Sequence, residues 1–344
     1  MRKIVTLCAI GLLGGCIQSK PWQLMVDADV ETEAVNHSGD AADDPALWVN
    51  FADPEKSLIL GTQKKQGLYS YDLSGNIKQF LPAGRLNNVD IRQNYHLRGI
   101  KVDVIGASNR SNNSISLFTI DSDGGIQFWD GLKSDQSAFS EVYGFCMGHV
   151  KQRLIFVMTG KDGDAELYEL DKVFINDDIN IKKLRTLSIP SQSEGCVIDD
   201  SNGNIYIGEE DTGVWKFNYW EDGIRELVIN VDGEKLVADV EGLALIKQKN
   251  KTYLMVSSQG NSQYPIYDLE DYHHVISVSV KGNSQIDQVT GTDGIDVNQL
   301  LSSSQFPEGL FITQDDKNTR PQTNQNFKVV SLKKILSQLE KTEH

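Results

Sequence analysis

Asp40-Ala41-Ala42-Asp43-Asp44-Pro45-Ala46-Leu47-Trp48 sets three carboxylates within five residues, stiffens the chain at Pro45 and then opens an apolar run. Carboxylates this close repel one another unless a cation lies between them. Such a cluster of hard oxygens suits an ion like Ca²⁺. Taken alone, the stretch is equally an acidic turn ahead of a strand; its meaning comes from recurrence. An acidic or polar residue, often followed by glycine, opens an apolar strand at Asp44-Pro45, Val89-Asp90, Tyr143-Gly144, Glu194-Gly195, Glu241-Gly242 and Asp293-Gly294. Successive first positions lie 45, 54, 51, 47 and 52 residues apart. A second feature, an apolar strand ending in small residues and a polar cluster, recurs at Gly61–Lys64, Ala107–Arg110, Thr159–Lys161, Gly208–Glu210, Ser258–Asn261 and Thr313–Asp315.

Two independent features recurring six times at a period of about fifty residues give the register of four-stranded propeller blades; the shorter repeats of a solenoid fit less well. Between the markers the chain reads as strand-length apolar or alternating runs such as Ser57–Leu60, Leu68–Tyr71, Val102–Gly106, Ile115–Ile120 and Leu154–Met158. Helical periodicity is weak until Lys333–Leu339. The expected fold is all-β, a six-bladed β-propeller of four-stranded antiparallel sheets over residues 39–344. Residues 17–38 are expected to form a polar lead-in, with Trp22, Leu24 and Val26 marking an early strand. Neighbouring strands of a meander run antiparallel, so the start of strand one and the end of strand two emerge at the same end. All twelve clusters should therefore line one face around the central channel.

Residues 1–16 read as a signal segment rather than as part of the fold. Arg2 and Lys3 precede an apolar run, Ile4 to Leu13, that is too short for an ordinary membrane span. It ends at Leu13-Gly14-Gly15-Cys16, which resembles a bacterial lipoprotein processing site with Cys16 as the lipid-bearing first residue; a plain signal peptide cleaved nearby is the alternative. The expected location is therefore the bacterial envelope (outer membrane or periplasm, lipid-anchored) or secretion, with membrane contact only through that anchor. Of four cysteines, Cys146 and Cys196 remain for an oxidising compartment, and their spacing does not decide whether they pair.

The formal charge of −15 gives nothing to attract nucleic acid and would repel an anionic ligand unless local cations reverse the field. The strand-two clusters supply such cations in the early blades: Lys64 and Lys65, Arg110, Lys161. In the later blades they are acidic or amide: Glu209, Glu210 and Asp211, then Gln259, then Asp315 and Asp316. Strand-one starts add Asp43, Asp44, Glu194, Asp239, Glu241 and Asp293. A cationic arc beside a carboxylate arc fits an oxyanion held by Lys and Arg on one side and by metal ions on the other. Any one of these charges alone is more often solvated surface; the segregation by sign around one rim is what carries the reading. No Cys-x₅-Arg loop, Arg-His-Gly motif, G-x-S-x-G elbow or Walker loop is present, so a covalent intermediate has no evident nucleophile. Direct attack of water on a phosphoryl group neutralised by metals and Lys/Arg remains.

At these residues the chain resembles the β-propeller phytases, calcium-dependent bacterial enzymes that release phosphate from inositol hexakisphosphate. The segments that carry the resemblance run from Glu31 to Phe327 and include Asp40–Trp48, Arg85–Arg92, Ala107–Ser111, Glu141–Phe145, Thr159–Lys161, Ser193–Gly195, Gly208–Asp211, Ser257–Ser262, Thr292–Val297 and Asn324–Lys328. The resemblance implies a six-bladed propeller acting as a 3-phytase-type phosphoric monoester hydrolase, with several Ca²⁺ ions, calcium phytate as substrate and a monomeric state. By position it implies phosphate contacts from Lys64, Arg110, Tyr143 and Lys161, and catalytic metal-holding carboxylates at Glu194, Glu210 and Asp293. It implies further metal ligands at Asp239, Glu241, Gln259 and Asp287. Structural metal positions are implied at Glu31, Asp43, Asp44 and, through its carbonyl, Val89. Gln93, Asp162 and Glu308 depart from the family's usual residues, none of them at an implied phosphate contact. Two other readings are a calcium-bound propeller that binds without catalysis, and a propeller lactonase or esterase; the Lys64/Arg110/Lys161 set argues against the latter.

Overall fold

A computed structural model describes residues 20–342 except 98, 130, 135, 172–178 and 250; the expected signal segment lies outside the described residues. Six sheets follow one another as blades, each strand one nearest the axis. Blade 1 is Ala42–Trp48, Leu58–Gln63, Gly67–Asp72 and Ile77–Pro82; blade 4 is Ser193–Asp199, Asn204–Glu209, Gly213–Asn218 and Glu226–Asn230. The helix expected near the end is present as Lys333–Thr342 and docks Ile335 and Leu339 against blades 5 and 6.

The lead-in does not stand apart from the propeller, which corrects the expected boundary at residue 39. Val30–Glu31 pairs antiparallel with Asn326–Ser331 and supplies the outer strand of blade 6. Gln23–Asp27 runs parallel to His274–Lys281 as a fifth strand on blade 5. Blade 3 likewise gains a fifth, parallel strand, Leu132–Ser134, from the preceding connection. Val30–Glu31, near the start of the chain, and Asn326–Ser331, near its end, thus close the ring with backbone hydrogen bonds.

Alternate residues of a strand face opposite sides of its sheet, so each blade packs on two neighbours. Ile59 joins the cluster between blades 6 and 1, whereas Leu58 and Leu60 join the one between blades 1 and 2. Leu154, Phe156 and Met158 pack toward blade 2, and Ile155 and Val157 toward blade 4. Both faces are dry, which is why second strands read as unbroken apolar runs. Burying each such side chain contributes about 1.5–3 kcal/mol relative to leaving it exposed. A disulfide between Cys146 and Cys196 joins the first strands of blades 3 and 4, with Cα atoms 5.7 Å apart.

The repeat marker has a structural meaning: it is a β-bulge. In five blades two residues of strand one oppose one residue of strand two, at Asp43-Asp44, Asn87-Asn88, Tyr143-Gly144, Glu194-Gly195 and Glu241-Gly242. Asp293-Gly294 holds the same place just ahead of Ile295–Asn298 in blade 6. The sequence markers at Asp44 and Val89 were therefore one and two residues late, and the true counterparts are Asp43 and Asn87. A bulge frees a backbone N–H, and strand two answers with a hydroxyl. Thr62 Oγ1 accepts from Asp44 N at 3.0 Å, Ser108 Oγ from Asn88 N at 3.3 Å and Thr159 Oγ1 from Gly144 N at 2.8 Å. The glycines are required by close approach of the next blade: a Cβ on Gly144 would lie 1.7 Å from the Glu194 carbonyl oxygen, and one on Gly195 2.0 Å from that of Glu241.

Candidate active site

The five bulges and the equivalent position in blade 6 turn Asp43, Asn87, Tyr143, Glu194, Glu241 and Asp293 toward one end of the channel. Around them stand the residues that follow each second strand, fixed by backbone bonds to the chain entering strand one: Lys64 N to Ala41 O at 2.8 Å, Arg110 N to Arg85 O at 2.8 Å, Lys161 N to Glu141 O at 3.1 Å, Glu210 N to Gln192 O at 3.0 Å and Gln259 N to Asp239 O at 3.0 Å. The two kinds of repeat marker thus meet on one face.

Among the described residues, two groups of carboxylates could hold a metal ion: Asp43, Glu194 and Asp293, and Glu194, Glu210 and Glu241, the ligand oxygens within each lying inside 4.8 Å of one another. Glu194 belongs to both. Asp43 Oδ2, Glu194 Oε2 and Glu241 Oε2 are buried without a hydrogen-bond partner. Orphaned buried anionic oxygens cost several kcal/mol unless a proton or cation meets them, so the donor set fits hard divalent ions. Lys64 is the ammonium of this pit, 2.7 Å from both Asp40 and Asp43 and 3.4 Å from Asp293.

The electrostatics follow from this crowding. Burial, then the Asp43 charge, lifts the Glu194 carboxyl to about 7. Burial and Glu194 raise Glu241 well above the usual carboxylate range; burial likewise raises Asp293, with Lys64 opposing. Burial would lower the Lys64 ammonium, but Asp43, Asp293, Glu194 and Asp40 outweigh it and keep it charged. Burial also raises Glu210 and Asp239, the latter helped by Asp211.

The cationic arc borders the pit. The Arg110 guanidinium lies 6.0 Å and the Lys161 ammonium 4.7 Å from the centre of the Tyr143 ring. Glu141 ties the arc together: its carboxylate meets Arg85 at 2.8 Å, Arg110 at 3.0 Å and Lys161 at 3.7 Å. The Arg110 hydrogen bond, supported by Arg85 and Lys161, holds Glu141 down at about 2. The Arg110 Nε–H is buried and unpartnered, which leaves it available to an incoming oxyanion.

Not every implied residue joins this centre. Glu31 and Asp287 instead enclose the fully buried Lys328 ammonium, at 2.9 and 3.0 Å, together with Asp315 at 2.9 Å and Asn318 at 2.6 Å. Five oxygens around one nitrogen, Asn326 at 3.3 Å included, tie the N-terminal strand to blade 6. Asp44 accepts the Val89 N–H at 3.0 Å, a contact that leaves the Val89 carbonyl uninvolved. Asp239 and Gln259 flank the Glu210 side of the rim. A cavity of about 430 Å³ occupies the channel beyond the pit, but its Arg92 is already paired with Asp90 at 2.8 Å and Asp200 at 3.1 Å. Asp40, Asn87 and Glu141 are the site neighbours that sequence reasoning left unassigned.

A family model described as Phytase matches residues 3–344. The 3-phytase of Bacillus subtilis (strain 168) is 40% identical over 329 residues, covering 91% of this chain and 85% of that protein. With its opposed arcs of charge on a six-bladed ring, the chain belongs to the phytase family.

Proposed function

We propose that this chain hydrolyses phosphomonoesters of phytate, a 3-phytase-type reaction, and that it does so with calcium. The observation that carries the proposal is the shared pit: two carboxylate groups joined at Glu194, beside Lys64, Arg110, Tyr143 and Lys161. Glu194, Glu210, Glu241, Asp43 and Asp293 would hold the ions. When bound, these ions supply positive charge to the phosphoryl oxygens and lower the barrier to attack by water. Lys64 and Arg110 bind non-bridging oxygens, Lys161 closes the outer side, and burial keeps the Tyr143 hydroxyl protonated as a donor. Asp239 and Gln259 extend the oxygen-rich rim outward. Phytate and the protein are both strongly anionic, so cations held by these carboxylates would offset their repulsion.

The test is phosphate release from phytate by purified protein, with calcium and with excess chelator. Full activity in chelator overturns the calcium requirement, and no release under either condition favours a propeller that only binds. Export with lipid attachment at Cys16 and action as a monomer belong to the same proposal. The Cys146–Cys196 disulfide supports an oxidising compartment. Incorporation of labelled lipid into wild type but not Cys16→Ala, and the mass in solution, test these two points.

A further inference from the structure

Asn87 is the one member of the inner ring that is neither a carboxylate nor Tyr143, and sequence reading passed over it because the repeat was placed two residues late in blade 2. Its side chain is fully buried in the bulge. Its Oδ1 accepts from Arg110 Nη1 at 3.1 Å. Its Nδ2 donates to Glu194 Oε1 at 2.5 Å and to Asn88 Oδ1 at 2.9 Å. The Arg110 fork is completed by Nη2 donating to Glu141 Oε2 at 3.0 Å. Asn87 therefore decides which atoms stay free: the Nε–H of Arg110 and Oε2 of Glu194, both buried and unpartnered.

We infer that Asn87 is a positioning residue that locks the phosphate-binding guanidinium of Arg110 to the metal-holding carboxylate of Glu194, so that the cationic and anionic arcs act as one unit. Only a primary amide serves here at this length. It offers an acceptor to the cation and a donor to the carboxylate at once. Aspartate keeps the first bond and turns the second into a repulsion, and an aliphatic residue keeps neither. A neutral bridge also adds no charge to a pit already crowded with carboxylates. The roles of Arg110 and Glu194 rest on the function proposed above; the bridge itself rests on the hydrogen bonds.

The experiment is a double-mutant cycle of Asn87→Ala with Arg110→Ala, read as kcat/KM for phytate, together with calorimetric titration of the metal-free proteins with Ca²⁺. Asn87→Ala is expected to lower kcat/KM and to weaken Ca²⁺ binding, each by about 10–100-fold. In the Arg110→Ala background the further loss of kcat/KM should shrink to about threefold or less, because the two residues act through one contact. Losses that multiply across the cycle, or Ca²⁺ affinity within about twofold of wild type, overturn the inference. Should Asn87→Ala not fold, Asn87→Asp replaces it, and undiminished kcat/KM in that variant overturns the inference equally. If Arg110→Ala is itself fully active, the proposed function of Arg110 fails, while the Ca²⁺ affinity of Asn87→Ala still decides whether Asn87 orients Glu194.

Discussion

Loading the metal-free protein with Ca²⁺ should expel protons, and the structure says roughly how many. Without a cation, the Glu194 carboxyl titrates at about 7, pushed up first by burial and then by Asp43. It is therefore about nine-tenths protonated at pH 6 and about one-tenth at pH 8. Burial raises Glu241, with Glu194 adding to it, and also raises Asp293 in the same pit against the opposing charge of Lys64. Binding at pH 6 should release about one proton from Glu194, and fewer at pH 8; apparent affinity should rise about tenfold per pH unit for each proton displaced. The sign for stability follows. These carboxyls bind more protons folded than unfolded, so the metal-free fold loses stability as pH rises from about 4.5 toward 7. With the cation bound, that loss disappears. Calorimetry in two phosphate-free buffers of different ionisation heat measures the released protons directly. Binding heats at pH 6 that do not depend on the buffer would refute the reasoning, as would affinity unchanged between pH 6 and 8. In Glu194→Gln the proton count should drop by about one.

Other perturbations test separate parts of the molecule. Lys64→Met leaves Asp43 and Asp293 without their buried cation and should cut phytate turnover at least about a hundredfold, comparable to loss of one electrostatic donor to a transition state; a rate within threefold of wild type would remove Lys64 from the site. Lys328→Met should destabilise the fold by about 3–5 kcal/mol, because Asp287 and Asp315 stay buried and unpaired, and a melting temperature equal to wild type would refute the tie. Gly195→Ala forces a Cβ to 2.0 Å from the Glu241 carbonyl oxygen, so soluble, fully active protein is the outcome that would contradict the bulge packing. Replacing Cys146 and Cys196 with serine opens a link between residues 50 apart and should cost at most about 4 kcal/mol by chain entropy, read as a lower midpoint in denaturant.

The sequence carried the ring and its working face because both arise from a local device repeated in every blade. A polar pair before an apolar strand is visible without knowing that it is a bulge, and so Glu194, Glu241 and Asp293 were found with Tyr143. In the first two blades the second bulge residue is Asp44 or Asn88 rather than glycine, and the marker slid toward the strand. That slip hid Asn87. Glu31 and Asp287 were read as metal ligands by position; which cation they meet depends on where Lys328, remote from both in the chain, is delivered by blade 6. The fate of the lead-in was hidden for the same reason. Gln23–Asp27 and Val30–Glu31 are short strands whose partners lie in the last quarter of the chain, and nothing local announces edges 254 and 299 residues away.

That pairing of opposite ends sets the order in which the molecule can come into being. Val30–Glu31 leaves the ribosome ahead of all six inner strands, yet its partner Asn326–Ser331 is the last strand to be synthesised. Until then the circle is a crescent with two raw flanks, and its opening blade is covered on one side only, by blade 2. The circumference cannot shut before the final blade arrives, so the apolar seam between blades 6 and 1 is the last part of the core to be covered.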